Sequence, residues 1–245
     1  IMINKRIFAI TSVMVLSIGS IMAQGDELYG GGTSGSGLRN GTAGSSALLI
    51  PQGAAYLTGG GAVANATGIG AAYWNPAGVV RATTNLETSF SNRTYIADMS
   101  VLFAGASMKL GNNAFAVTIR SIDVGEIPVT TVYEPDGTGE LFSPTNFTAG
   151  LTYSRRMSEK TSMGISINSS TEGFRRVKGT ALTVDAGVQY SDFLNISDLD
   201  IGVAVRNFGR PMRFDGSGLL TKAVAIGSDR LTQFYKVQAA EADVP

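Results

Sequence analysis

Residues 181–190 read Ala181-Leu182-Thr183-Val184-Asp185-Ala186-Gly187-Val188-Gln189-Tyr190. Leu182, Val184, Ala186, Val188 and Tyr190 alternate with Ala181, Thr183, Asp185, Gly187 and Gln189. Successive side chains of a strand point to opposite faces, so this stretch is a strand with one apolar face and one polar or small face. The same period recurs on both sides of it. Phe115, Val117 and Ile119 alternate with Ala116, Thr118 and Arg120, and Phe147, Ala149, Leu151 and Tyr153 with Asn146, Thr148, Gly150 and Thr152. Met163, Ile165 and Ile167 alternate with Ser162, Gly164, Ser166 and Asn168, and Leu199, Ile201, Val203 and Val205 with Asp200, Gly202, Ala204 and Arg206. The pattern predicts about seven antiparallel strands, near 84–92, 97–110, 113–125, 143–155, 161–171, 179–191 and 197–209. Leu220 to Val237 is a candidate for one more.

An all-β chain with this alternation is either a soluble sandwich or a transmembrane barrel. Three features favour the antiparallel transmembrane β-barrel. The segments are about 10 residues long, the length a tilted strand needs to cross a bilayer. Tyr153 and Tyr190 end their apolar faces just before turns, as an interfacial aromatic girdle does. Connections alternate in length: Gly111 to Asn113 is short, Val124 to Pro144 long, Arg155 to Lys160 short, and Thr171 to Lys178 longer. Short periplasmic turns and longer external loops give that parity.

Lys5 and Arg6 precede an apolar run from Ile7 to Met22, closed by Ala23. This reads as a secretory signal peptide over residues 1–23. Residues 24–46 are rich in Gly, Ser and Thr and read as a flexible lead-in. Residues 47–83 are small and Gly-rich, hold the single Trp, and read as a plug seated inside the barrel. Residues 84–245 form the N-terminal part of the barrel. Gly59-Gly60-Gly61 resembles a dinucleotide-binding pattern only superficially, because no βαβ unit surrounds it. Bacterial barrels have even strand counts, and the polar end Glu241-Ala242-Asp243-Val244-Pro245 reads as a loop. With Ile1 standing before Met2, the expectation is a truncated chain and an incomplete barrel.

Composition narrows the function. Nineteen basic and nineteen acidic residues balance to zero net charge, which gives no support for a nucleic-acid partner. Charged residues make up 16% of the chain, against ~25% in ordinary domains. Cysteine and histidine are absent, which removes thiol chemistry, the usual zinc sites and every catalytic scheme that needs imidazole. The chain is read as a non-enzyme without cofactor or metal. Asp136 and Glu140 share a loop, but that loop lacks the EF-hand pattern.

Arg120, Asn168, Asp185, Asp200 and Arg206 fall on the polar face and are the candidate lumen residues. An arginine facing lipid at mid-depth costs ~2–4 kcal/mol, so the lumen is where these groups belong. They either brace the wall by mutual pairing or form a polar track for a solute or head group.

Tyr73-Trp74-Asn75-Pro76-Ala77-Gly78 resembles the signature of the PorV/PorQ family of outer-membrane barrels. Gly125-Glu126-Ile127-Pro128, Asp136 to Glu140, Asn207-Phe208-Gly209 and Met212 to Gly216 resemble further family motifs in the same order, so the resemblance spans roughly residues 47–218. The chain departs at Gln52-Gly53-Ala54-Ala55, where the family often has an arginine. The resemblance implies a FadL-like barrel with a short N-terminal plug, in the bacterial outer membrane. It marks Tyr73, Trp74, Asn75, Pro76 and Gly78 as the plug signature. It implies a part in type IX protein secretion or surface attachment of cargo, with FadL-like transport of hydrophobic or small solutes as the alternative. The implied partners are outer-membrane lipid, secreted cargo or other secretion components, and a hydrophobic small molecule. On physical grounds, Asn75 before Pro76 suits a helix boundary. Trp74 suits wedging against a polar wall, with Arg120 or Arg206 as the residues that Trp74 and Asn75 would meet, and Gly78 suits close approach or a positive φ.

Overall fold

The computed structural model describes residues 43–57, 63–223, 233–237 and 242–245. The expected signal peptide 1–23, most of the lead-in, and Gly59 to Gly61 lie outside the described residues. The period-two segments form strands β1 (Leu86–Thr94), β2 (Ser100–Leu110) and β3 (Asn113–Asp123). A small β4 (Ile127–Pro128) and β5 (Leu141–Phe142) pair within the long connection that follows. Next come β6 (Thr145–Arg156), β7 (Thr161–Phe174), β8 (Val177–Tyr190), β9 (Ile201–Gly209) and β10 (Arg213–Asp215).

The main sheet is an antiparallel meander in the order β1-β2-β3-β6-β7-β8, with β9 and β10 both laid along the free side of β8. β9 and β10 are thus one edge strand, interrupted at Arg210 to Met212. The two edges of the sheet, β1 on one side and β9–β10 on the other, are not paired with each other. The all-β antiparallel fold is therefore present, whereas the closure of a barrel is not found among the described residues. Leu220 to Val237 does not extend this sheet. Its described residues pair as β11 (Leu220–Ala223) with β12 (Gln233–Lys236), tied back by Lys236 Nζ to Asp215 Oδ1 at 2.5 Å. Ala242 bridges to Met212, and Gly44 N donates to Asp243 O at 2.8 Å.

Burial of strands β6 to β8 is inverted relative to a water-soluble domain, whereas β2 and β3 bury Val101, Phe103 and Ile122 on the covered face. Thr148, Thr152, Ser154, Ser162, Ser166, Ser170, Thr183, Asp185 and Gln189 are buried. Phe115, Val117, Ile119, Leu151, Ile165, Ile167, Leu182 and Val203 are exposed on the opposite face. Hydroxyls pair across the buried face, Thr152 with Ser166 at 2.7 Å and Thr148 with Ser170 at 3.1 Å. That pairing answers the requirement that buried polar groups find partners.

Loop parity departs from the expectation. The β7–β8 link, read as a longer loop, is the two-residue turn Arg175-Arg176, because each strand runs for 14 residues. Arg175 takes a positive φ of 50° to make it. The β8–β9 link runs through residues 191–200 and is longer than expected.

Candidate functional site

Residues 43–57 and 63–81 lie against the polar face of the sheet. They comprise a 3₁₀ turn (Ser46–Leu49), α1 (Ala54–Leu57), α2 (Gly68–Trp74) and a second 3₁₀ turn (Pro76–Arg81). The lead-in expected to reach residue 46 gives way earlier, since Ser45 is already fully buried. Few large apolar groups are available, so the interface uses small ones: Ala66, Ile69, Ala71, Ala72, Val79 and Val80 pack on Ala114 and Ala116 of β3.

Local sequence sets the path of this segment. The first turn of α2 leaves backbone N–H groups without helical partners. Glu87 of β1 supplies one, with its Oε2 accepting from Ile69 N at 3.0 Å. α2 stops at Trp74, because a residue before proline is pushed out of the helical region. Asn75 is accordingly extended, at φ −154° and ψ 108°. It then caps the following turn through Oδ1, which accepts from Ala77 N at 3.1 Å, with Pro76 in the first position.

Asn75 is fully buried and holds the segment to the wall. Its Nδ2 donates to Val63 O at 2.7 Å and Val188 O at 3.1 Å, with Val203 O at 3.4 Å. Val188 and Val203 face each other across β8 and β9, so one amide bridges two neighbouring strands. Glycines clear the space for it. A Cβ on Gly187 would stand 2.0 Å from Asn75 Oδ1, and one on Gly164 would stand 2.3 Å from the Pro76 carbonyl carbon. Gly78 serves close approach, since its Cβ would meet Ala66 O at 1.9 Å.

The two large rings of the signature do different things. Trp74 Nε1 donates to Gln52 O at 2.8 Å, within the same segment, rather than meeting an arginine of the wall. Tyr73 takes that place. Its ring lies 4.1 Å from the Arg206 guanidinium and 5.3 Å from that of Arg120, and its hydroxyl donates to Leu48 O at 3.1 Å. Such cation–π contacts gain strength away from water. Tyr73 packs edge-on against Trp74, with centroids 5.1 Å apart.

Four of the five expected lumen residues meet here. Arg120, Asn168, Asp185 and Arg206 line one cavity of about 30 Å3 together with Tyr73 and Gln52. Asp185 Oδ2 accepts from Asn168 Nδ2 at 2.7 Å, and Asp185 Oδ1 from Asn207 N at 2.6 Å. The second bond comes from a bulge. Val184 pairs with Phe208 and Ala186 with Val205, so Arg206 and Asn207 together oppose Asp185. Asn207 adopts a positive φ of 57° there, a conformation that asparagine takes more readily than most residues. Asp200 is the exception. It lies before β9 begins, at the β8–β9 turn, where its Oδ1 accepts from Asp192 N at 3.3 Å. Counting by twos places Asp200 with Arg206, but the strand stops at Ile201.

Two further residues fix the segment, and both escaped the sequence reading as sites. Arg81 closes the turn end: its guanidinium donates to Ser162 Oγ and Lys160 O, each at 2.8 Å, and to Ser191 Oγ. Burial lowers its pKa from the ordinary arginine value, with Asp200 opposing that shift. Gln189 Nε2 donates to Ala66 O at 3.0 Å and Val63 O at 3.2 Å. Gln189 stood in the polar half of the opening alternation, which was signal enough to find it. Neither a protein-family model nor a curated protein matches the chain.

Asn75→Ala tests the lock. It removes the donors to Val63 O and Val188 O and leaves Ala77 N without its acceptor. Stranding buried partners costs about 1–3 kcal/mol. The expected result is a lower urea midpoint and faster protease cleavage within residues 43–81. Unchanged cleavage would assign the lock elsewhere.

Proposed function

We propose that this chain is wall and plug of a bacterial outer-membrane β-barrel of the PorV/PorQ type, acting in type IX protein secretion or in surface attachment of its cargo. The inverted burial of β6 to β8 carries the reading. A soluble monomer rarely exposes an apolar patch beyond a few hundred Å2. In a bilayer the same face is in its proper solvent, and the buried polar face is the lumen side. On β6, Phe147 and Tyr153 stand six residues apart, about 20 Å along the strand, with Leu151 exposed between them. That spacing suits an apolar band flanked by aromatic residues. Phe115 and Tyr153 cluster at the turn end, with centroids 5.2 Å apart. Hydrocarbon does not tolerate unpaired strand edges, so this reading requires β1 and β9–β10 to be sealed by further strand pairing.

The secretion half rests on the resemblance of residues 73–78 to the family signature, which the structure seats where segment and sheet meet.

The test is fractionation combined with gene deletion. The protein is expected in the outer membrane, with heat-dependent migration on gels. Its deletion is expected to trap secreted proteins that carry a C-terminal signal domain in the periplasm. Recovery as a soluble periplasmic monomer would remove the barrel. Normal cargo export with impaired solute uptake would replace secretion by transport.

A further inference from the structure

The cavity beneath Tyr73 holds more hydrogen-bond donors than the protein satisfies. Arg120 Nη1, Arg206 Nε and Gln52 Nε2 are all buried without a partner, and all three residues line it. Arg120 is 7% exposed and Gln52 5%, and Arg206 is half-buried with its Nε covered. Charge is also unbalanced. The ionised residues lining the cavity are Arg120, Arg206 and Asp185, which leaves one positive charge in excess. Asp185 is already engaged by Asn168 and by the Asn207 backbone. Tyr73 softens the repulsion between the two guanidiniums but brings no negative charge.

An unpaired buried donor costs about 1–3 kcal/mol, and an uncompensated buried charge costs several more. A water molecule would answer the first cost and not the second. A small anion answers both. The volume of about 30 Å3 has room for a water-sized occupant, and a monatomic anion is the smallest group that meets both needs.

We propose that this cavity is a binding site for a single halide ion, chloride in the cell. The ion would join Gln52 of the inner segment to Arg120 of β3 and Arg206 of β9, making the docking of that segment depend on an anion. The site lies between segment and sheet, so the inference stands whether or not the sheet spans a membrane.

The experiment is a urea-unfolding titration of the detergent-solubilised protein at constant ionic strength, replacing sodium gluconate by sodium chloride or sodium bromide. The midpoint is expected to rise and saturate with either halide. At ten times the Kd the folded-to-unfolded ratio is expected to rise about elevenfold. Sodium sulfate should give no saturable rise. Arg120→Gln should abolish the halide response. Gln52→Leu, which leaves the sheet untouched, should weaken halide binding about tenfold and serves if Arg120→Gln does not fold. Equal midpoints in chloride and gluconate would overturn the proposal. So would a halide response unchanged in Gln52→Leu, or bromide-soaked crystals whose anomalous density avoids the cavity.

Discussion

Replacing Gly187 by valine is expected to unseat residues 43–81 while leaving the sheet assembled. Valine favours strands, so β8 itself gains nothing to resist. The obstacle is Asn75: the new Cβ would stand 2.0 Å from its Oδ1 and 3.3 Å from Pro76 Cδ. Asn75 cannot give way alone, because Pro76 fixes the backbone behind it and its amide is bonded to Val63 and Val188. Overpacking costs about 1–3 kcal/mol, and each buried partner left stranded adds about 1–3 kcal/mol. The sum is several kcal/mol against one docked segment. Limited proteolysis reads it directly: cleavage within residues 43–81 should become fast in Gly187→Val while fragments of the sheet stay protected. Gly173→Val is the control, since its Cβ would meet nothing closer than Thr145 Cβ at 3.5 Å. Equal protection in both variants would mean that Gly187 is not there to admit Asn75.

The strands were legible because alternation is a direct consequence of strand geometry. Period two also separated the faces, so Thr148, Thr152, Ser166 and Asp185 could be assigned to the covered side and Leu151 and Ile165 to the other. The end of α2 was legible for a similarly local reason, the steric effect of Pro76 on Asn75. What escaped required knowledge of three dimensions. A helix turns about 100° per residue, so whether Tyr73 or Trp74 reaches Arg206 depends on the rotation of α2, which no local pattern encodes. β9 begins only at Ile201, so the count that groups Asp200 with Arg206 runs past the end of the strand. The tight β7–β8 turn was hidden because Thr171 to Lys178 looks polar enough for a loop, yet continues the strands. Closure of the sheet is a property of its two edges, and β1 and β9 look no different in sequence whether paired or free.

Removing residues 43–81 is expected to turn a closed pore into an open one, if the sheet is a barrel wall. The segment does not merely rest on the polar face. It leaves a cavity of about 30 Å3 under Tyr73 and a wider one of about 270 Å3 between Tyr56 and β1, and Asn75, Gln189, Arg81 and Ser154 bond it to strands β6 to β8 and their turns. Ala71, Val79 and Val80 pack directly against Ala114 and Ala116, which narrows the space along the polar face. Single-channel recordings of the intact protein should therefore show little conductance. Its deletion variant should show large, steady openings, because the face then uncovered is lined by Ser, Thr, Asn and Arg. Gly187→Val should fall between the two, flickering as the segment leaves and returns. Large constant conductance in the intact protein would mean that the segment does not seal the lumen. A deletion variant that reaches the outer membrane and still fails to conduct would point to a wall collapsed on itself. Residues 43–81 would then be the filling that a barrel with so many small inward residues needs to stay open.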